Sequence, residues 1–344
     1  MSMRYVIPFE EIGKDDFPIV GKKCANLGEM LSIGIPVVPG FALSVEAHKL
    51  FMEVTGTARE IKEYMSGFPD GLTDLTQYQE VSKKIYQIIG SKEIPPVLKE
   101  QIRANYQVLC RKRGTDNLSV AVRSAGTVSH PGQYETFLNV IGEAEVFDKI
   151  VKVWSSAFNV PSIAAVSKKG LSVADSPCIG IGVLPIIQSR AAGVVFTAHP
   201  TSGDRSQVVI EGSWGMGESV VSGAVTPDLF VIDKDSLEIR EKVVGSKTVR
   251  LVCAEQGIVE EDVPEELRRS LCLTNEEVKK IAELAISLER HFGMPQDGEW
   301  AVDSRSSFPD NIYYMQTRPQ VAIADTKSAS DKLIDLMLSR LLGS

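Results

Sequence analysis

In DGEWAVDSRSSFPDNIYYMQTRP, residues 297 to 319, two apolar-rich runs flank a segment of Ser, Pro, Asp and Asn. That is the pattern of two strands joined by a loop, so a β-hairpin is expected. Residues two apart on a strand point to the same side. Asp297 and Glu299 therefore share one face, and Gln316 and Arg318 share a face of the partner strand. Two carboxylates, an amide oxygen and a guanidinium make a poor core. They make a good site for a magnesium nucleotide, with oxygen ligands for the metal and a cation for the phosphates.

The whole chain bounds what such a hairpin belongs to. Its 344 residues suit two lobes better than one core. Apolar residues make up 43% and charged residues 24%, the profile of a folded globular protein. The net charge of -8 argues against a nucleic-acid partner, which needs a basic face. It leaves nucleotide binding open, because a few local cations suffice. Cys24, Cys110, Cys178, Cys253 and Cys272 are scattered with no CxxC, which argues against a disulfide framework or zinc site and for a reducing compartment. The opening MSMRYVIPFEEIGKDD is too acidic for a signal peptide. No run approaches the roughly 20 apolar residues of a membrane span, so a cytoplasmic protein with no membrane partner is expected.

Outward from the hairpin, periodicity predicts helices at Ala25 to Ser32, Val45 to Tyr64, Leu72 to Ile89 and Glu143 to Lys169, with a further one begun by Pro95 and Pro96. LSVAVRSA (118–125) reads as a strand. So do CIGIGVLPIIQ (178–188), AGVVFTAHP (192–200), QVVIEGSW (207–214), DLFVIDKD (228–235) and TVRLVC (248–253). TNEEVKKIAELAISLERHF (274–292) reads as a helix whose cap Thr274 has Glu277 in capping-box position. The expectation is an α+β fold in two lobes, 1–175 and 176–322, with the break near Ser172 to Pro177. A tail, 323–344, follows. Its amphipathic helix aligns Leu333, Leu336, Met337 and Leu341 and packs on its own domain or docks on another chain.

No GxxxxGK[ST], GxGxxG, GxSxG or HExxH occurs, and the four histidines show no metal spacing. What remains is polar residues in glycine-rich places. Lys23, in VGKKCANLGEM (20–30), sits beside a helix start, where a lysine and free backbone N–H groups can meet phosphate. Arg123 closes a strand, and its fork suits phosphate; a surface ion pair is the plain alternative. SAGTVSHPG (124–132) can fold over phosphates through backbone amides and the hydroxyls of Ser124 and Thr127, or be an ordinary hairpin loop.

With these residues in place, the chain resembles the nucleotide-binding domain of the phosphoenolpyruvate synthase and pyruvate phosphate dikinase family. The resemblance runs in order through VGKKCANLGEM, AVRSAGTVSHPGQYETFLNV (121–140), AGVVFTAHPTSG (192–203), EGSWGMGESVVSGAVTPD (211–228) and DGEWAVD with YYMQTRP. It implies a two-lobed ATP-grasp-like fold with ATP in the cleft and its phosphates under the 124–132 loop. By the same resemblance Lys23 and Arg123 hold phosphates and Arg318 adds charge. Glu299 and Gln316 bind Mg2+, and Asp297 orients that corner. Gly132 and Thr136 belong to the loop segment, Glu211 sits near the ribose, and adenine rests on the strand around Val183. In family chemistry a histidine attacks the β-phosphorus of ATP and AMP leaves. The γ-phosphate then departs, and the phosphohistidine serves a second site.

That histidine lies in a GGxTSHAA-like segment, and none occurs here. The resemblance therefore implies an ATP-binding part that cannot complete the cycle alone. A partner subunit would carry the phosphorylatable histidine and the acceptor-binding domain. Three smaller departures stand out: Lys22 in place of a usual glycine, a long 303–312 loop, and Leu184 where relatives often have glutamine. Two alternatives stay open: the ATP-binding domain of a split or truncated phosphoenolpyruvate synthase or antibiotic-phosphorylating relative, and a nucleotide-sensing module without catalysis.

Overall fold

The computed structural model of the chain describes residues 4–69, 71–126, 135–176, 178–254 and 257–320. Thr127, Gly132 and the tail 323–344 lie outside the described residues. The chain divides into two units, Met1–Ile187 with Cys253–Val259, and Gln188–Val252 with Glu260–Ser344.

The first unit contains β1 (Val6–Pro8), α1 (Phe17–Val20), α2 (Lys22–Ser32), β2 (Phe41–Leu43), α3 (Val45–Val54), α4 (Thr57–Met65), α5 (Leu75–Gly90), α6 (Pro96–Arg113), β3 (Ser119–Ala125), β4 (Thr136–Ile141), α7 (Glu143–Ser156), α8 (Val160–Lys168) and β5 (Gly180–Pro185). Its sheet runs β1-β2-β5-β3-β4, antiparallel throughout. Alternation sends Val120, Val122, Ile181 and Val183 into a core with Phe51 of α3, Ile85 of α5, Ile102 of α6 and Trp154 of α7. Arg123 and Gly182 take the other face, where Cys24 of α2 lies over Gly182.

Two long helices expected from periodicity are each split. The Val45–Tyr64 stretch breaks at Thr55 and Gly56, between α3 and α4. The Glu143–Lys169 stretch breaks at Asn159, whose side chain accepts from the Ser162 N–H and caps α8 with Pro161 in its first turn. The division of the chain also falls later than the expected 175/176. β5 pairs with β2 on one side and β3 on the other, so residues 180–185 belong to the first sheet.

The second unit contains β6 (Ser189–Phe196), β7 (Gln207–Trp214), α9 (Glu218–Val221), β8 (Asp228–Asp233) and β9 (Ile239–Val243). The chain continues through β10 (Val249–Ala254) and β11 (Gly257–Asp262), a two-stranded ladder whose residues 253–259 group with the first unit. Then come α10 (Glu265–Arg268), α11 (Asn275–Phe292), β12 (Gln296–Asp303) and β13 (Ile312–Pro319). The sheet order is β13-β12-β6-β7-β8-β9. The helix α11 starts at the expected capping box, Thr274 with Glu277. It lies against the sheet where the Tyr314 hydroxyl donates to the Ile281 carbonyl at 2.7 Å. The ring of Trp300, 1% exposed, spreads over Gly212 and donates its N–H to the Val194 carbonyl at 3.0 Å. Burial of such a ring on this face leaves the opposite face of β12 to the polar residues 297 and 299.

Candidate functional site

In the first unit the end of β3 and the start of α2 are locked together. Gly21, the residue before α2, has φ +80, and a Cβ there would stand 2.0 Å from the Ala125 carbonyl oxygen. Only glycine allows this approach. The Lys22 N–H then donates to the Gly126 carbonyl at 3.1 Å. This brings Lys23 and Arg123 into one corner. The Cys24 thiol between them feels both charges, although burial dominates and pushes it up to about 12. The Arg123 Nε–H is buried and has no acceptor among the described residues. A buried donor without a partner costs about 1–3 kcal/mol, so an anion at this corner would be strongly favoured. Thr136 lies directly opposite Arg123 across the β3–β4 pair and is exposed on the same face.

Two other residues of this unit sit elsewhere. Ser124 follows Arg123 on the strand and so takes the opposite face, where it is 4% exposed. Val183 is 0% exposed, in a strand paired on both edges, and offers a ligand neither side chain nor free backbone. Alternation from Arg123 was the signal that separates Ser124 from it. The burial of Val183 depends on long-range pairing, which carries no local signal.

In the second unit the β12–β13 pairing sets Asp297 opposite Arg318 and Glu299 opposite Gln316, with a register shift immediately after, between Glu299 and Trp300. The four side chains share one face. The row extends from Glu299 to Val194 on β6 and then to Glu211 on β7. Glu211 lies two strands from Glu299, about 10 Å at the backbone. Burial raises the Glu211 carboxyl above its usual range. Arg318 donates to one Asp297 oxygen through Nε at 2.7 Å and Nη2 at 2.6 Å.

Among the described residues no group of three or more His, Cys, Asp or Glu forms a metal cluster. Magnesium needs none: it keeps several waters and takes one or two carboxylates together with substrate phosphates. The Glu299 carboxylate facing the Gln316 amide, about 5 Å apart at Cβ, is a donor set that fits it.

A family profile described as "Pyruvate phosphate dikinase, AMP/ATP-binding domain" matches residues 17–335. A probable phosphoenolpyruvate synthase of Methanothermobacter thermautotrophicus is 35% identical, over 99% of this chain and 50% of the relative. One from Staphylothermus marinus is 38% identical, over 92% and 41%. The phosphoenolpyruvate synthase of Pyrococcus furiosus is 32% identical, over 96% and 45%. The chain thus spans about half the length of the curated relatives it matches, or less. Among solved structures, D-cycloserine synthetase DcsG aligns at 8% identity and a TM-score of 0.28, over 92% of this chain and 68% of that one, too slight a likeness to carry an argument.

Proposed function

The chain belongs to the pyruvate phosphate dikinase AMP/ATP-binding domain family, and from that premise we propose that it binds Mg-ATP and presents the β-phosphate to a histidine supplied from outside these 344 residues. The fold is read as ATP-grasp-like. The observation that carries the proposal is the corner of Lys23 and Arg123, with a buried guanidinium N–H that lacks an acceptor among the described residues.

Lys23 and Arg123 act on the phosphates. The helix start and strand end that carry them are joined through Gly21 and the Lys22 N–H before the nucleotide arrives, which limits the reorganisation needed as charge develops on the departing AMP. Thr136 offers a hydroxyl on the same face. Glu299 and Gln316 would hold magnesium, which when bound neutralises phosphate charge. Asp297 orients Arg318 toward that face, and Glu211 serves the ribose hydroxyls. Ser124 and Val183 bear on the site only through the sheet that carries Arg123.

The nucleophilic histidine and the acceptor site lie on another domain or a partner subunit. The missing GGxTSHAA-like segment and the half-length match to the relatives support this reading. The relatives' names favour pyruvate as acceptor. The domain content alone resembles the nucleotide-binding subunit of phenylphosphate synthase, which makes phenol the other acceptor to test. No helix among the described residues is long and apolar enough to cross a membrane.

The test is calorimetric titration of the chain with magnesium and a non-hydrolysable ATP analogue, repeated with Lys23→Ala. Binding that the substitution weakens at least several-fold is the expected result. Equal binding by both proteins removes Lys23 from the site. Transfer of phosphate to a histidine-bearing partner, offered pyruvate or phenol, then separates the two acceptors and tests the non-catalytic alternative.

A further inference from the structure

Arg123 and Thr136 stand opposite each other, but the strands that carry them are not held alike. Arg123 is paired on both edges, with Gly182 of β5 and with Thr136 of β4. β4 ends the strand order β1-β2-β5-β3-β4. Its pairing with β3 is also interrupted. Val120 faces Val140 and Val122 faces Phe137, so Ala121 stands against both Leu138 and Asn139, and Asn139 has φ 56. Such a bulge breaks the ladder locally and re-aims the strand. Beyond it, toward the site, the strands are joined by the pairs Val122 with Phe137 and Arg123 with Thr136, and by a 3.4 Å bond from the Ser124 N–H to the Glu135 carbonyl.

An anchor outside the sheet supports this short end of β4. The Glu135 N–H donates to Oγ of Ser156 at 3.2 Å. Ser156 is the last residue of α7 and is 0% exposed. Its own proton goes to the Val153 carbonyl at 2.7 Å, which fixes the direction of the hydroxyl and leaves the oxygen to accept. The Glu135 side chain also lies on the helix side of the sheet. Its charge reaches Lys152 of α7 and the phenol of Tyr86 on α5, which burial and that charge push up to about 12. Thr136, the next residue, takes the other face with Arg123.

We propose that Ser156 is a positioning residue for the phosphate corner: by holding the Glu135 N–H it keeps the Thr136 hydroxyl beside Arg123, where both can meet one anion. The inference rests on the nucleotide-binding reading of this corner. Ser156 itself is buried on the far side of the sheet and acts only through Glu135 and Thr136. Loss of its bond leaves Arg123 in place, since β5 still pairs with it, but frees Thr136 to shift with an edge strand that the bulge has already cut from the rest of its ladder.

The experiment is a double-mutant cycle. Wild type, Ser156→Ala, Thr136→Ala, the double variant and Lys23→Ala are titrated with magnesium and a non-hydrolysable ATP analogue. Exchange of the Glu135 amide hydrogen is followed in the unsubstituted protein. Ser156→Ala and Thr136→Ala are each expected to weaken the analogue about three- to ten-fold, the effect of one hydrogen bond. The double variant should bind as Thr136→Ala does, and the Glu135 amide should exchange slowly. A serine that only supports the fold would lower the melting temperature without this non-additivity. Four results overturn the proposal: Ser156→Ala binding as wild type does, Thr136→Ala binding as wild type does, full additivity in the double variant, or rapid exchange of the Glu135 amide. If the alanine variant does not fold, Ser156→Cys, close in size but a weaker acceptor, takes its place in the cycle. If Lys23→Ala weakens binding while the cycle fails, the nucleotide site itself stands. If no variant weakens binding, that reading falls as well.

Discussion

Arg318 and Asp297 face each other across β12 and β13, and both Nε and Nη2 of the arginine donate to the same carboxylate oxygen. The Asp297 side chain is 13% exposed and that of Arg318 is 55% exposed. The aspartate is thus the anchored member, and the guanidinium is aimed by it. Its outer edge stays available on the face that also carries Glu299 and Gln316.

Asp297→Asn removes the charge that aims Arg318. An ion pair with one exposed member contributes little, so stability should fall by less than about 1 kcal/mol. ATP affinity should fall several-fold, because Arg318 then samples many orientations. Paired thermal melts and nucleotide titrations read the two effects separately. A large melting shift with unchanged affinity would make the pair structural.

Glu299→Gln keeps the shape and the hydrogen-bonding capacity but removes the anionic oxygen that suits magnesium. The magnesium concentration needed for half-maximal ATP binding should rise about tenfold, since one charge-bearing ligand of a weakly held ion is lost. A magnesium titration at fixed nucleotide gives the answer, and an unchanged midpoint takes Glu299 out of the metal site.

Arg123→Met retains most of the aliphatic stem on the sheet face. The lost Nε–H has no acceptor among the described residues. Stability should therefore not fall, and relief of the buried donor should raise it by up to about 1–3 kcal/mol, while phosphoryl transfer with a histidine-bearing partner should fall by about 100-fold or more. Strong destabilisation with transfer retained would mark Arg123 as a structural ion-pairing residue.

His48 is fully buried, accepts a hydrogen bond from the Ile179 N–H at 3.1 Å and stacks on Trp154 with ring centroids 5.2 Å apart. Burial pushes it down to about 3. The folded state thus holds the neutral ring where the unfolded chain would bind a proton. Its stabilising effect is complete above about pH 6.5 and is lost progressively as pH falls toward 3. His48→Phe keeps a stacked ring and removes the titration. Its urea midpoint should be lower at pH 7 but decline less than that of wild type between pH 7 and 5. Parallel declines would acquit His48.

Cys24 is 1% exposed, and burial pushes its thiol up to about 12 despite the charges of Arg123 and Lys23. In the native protein it should resist iodoacetamide at pH 8, whereas denatured chain should be alkylated readily. Peptide mapping after a short pulse checks this. Rapid native labelling would mean that the corner opens.

Much of the candidate site was legible along the chain because its geometry is local. A two-residue period put Asp297 with Glu299 and Gln316 with Arg318, and a hairpin joins adjacent segments, so their meeting needed no distant contact. The capping box at Thr274 and Glu277 was equally local. The same alternation places Ser124 away from Arg123, and the sequence expectation passed over it. The helix breaks at Gly56 and Asn159 were written in residues that periodicity alone ignores: a glycine, and an asparagine cap followed by proline.

The sequence by itself determined the residue types, the strand faces of the hairpin and the family to which the order of motifs belongs. Tertiary structure alone decided that β5 completes the first sheet and buries Val183, that α2 meets the end of β3 through Gly21, and that Glu211 joins the row of Glu299 and Gln316 across Val194. The difference is one of range. Side-chain direction on a strand or helix follows from the backbone repeat of a few residues. Which strands pair, and what they bury, follows from closing long loops against chain entropy, and the deciding contacts lie far apart in sequence.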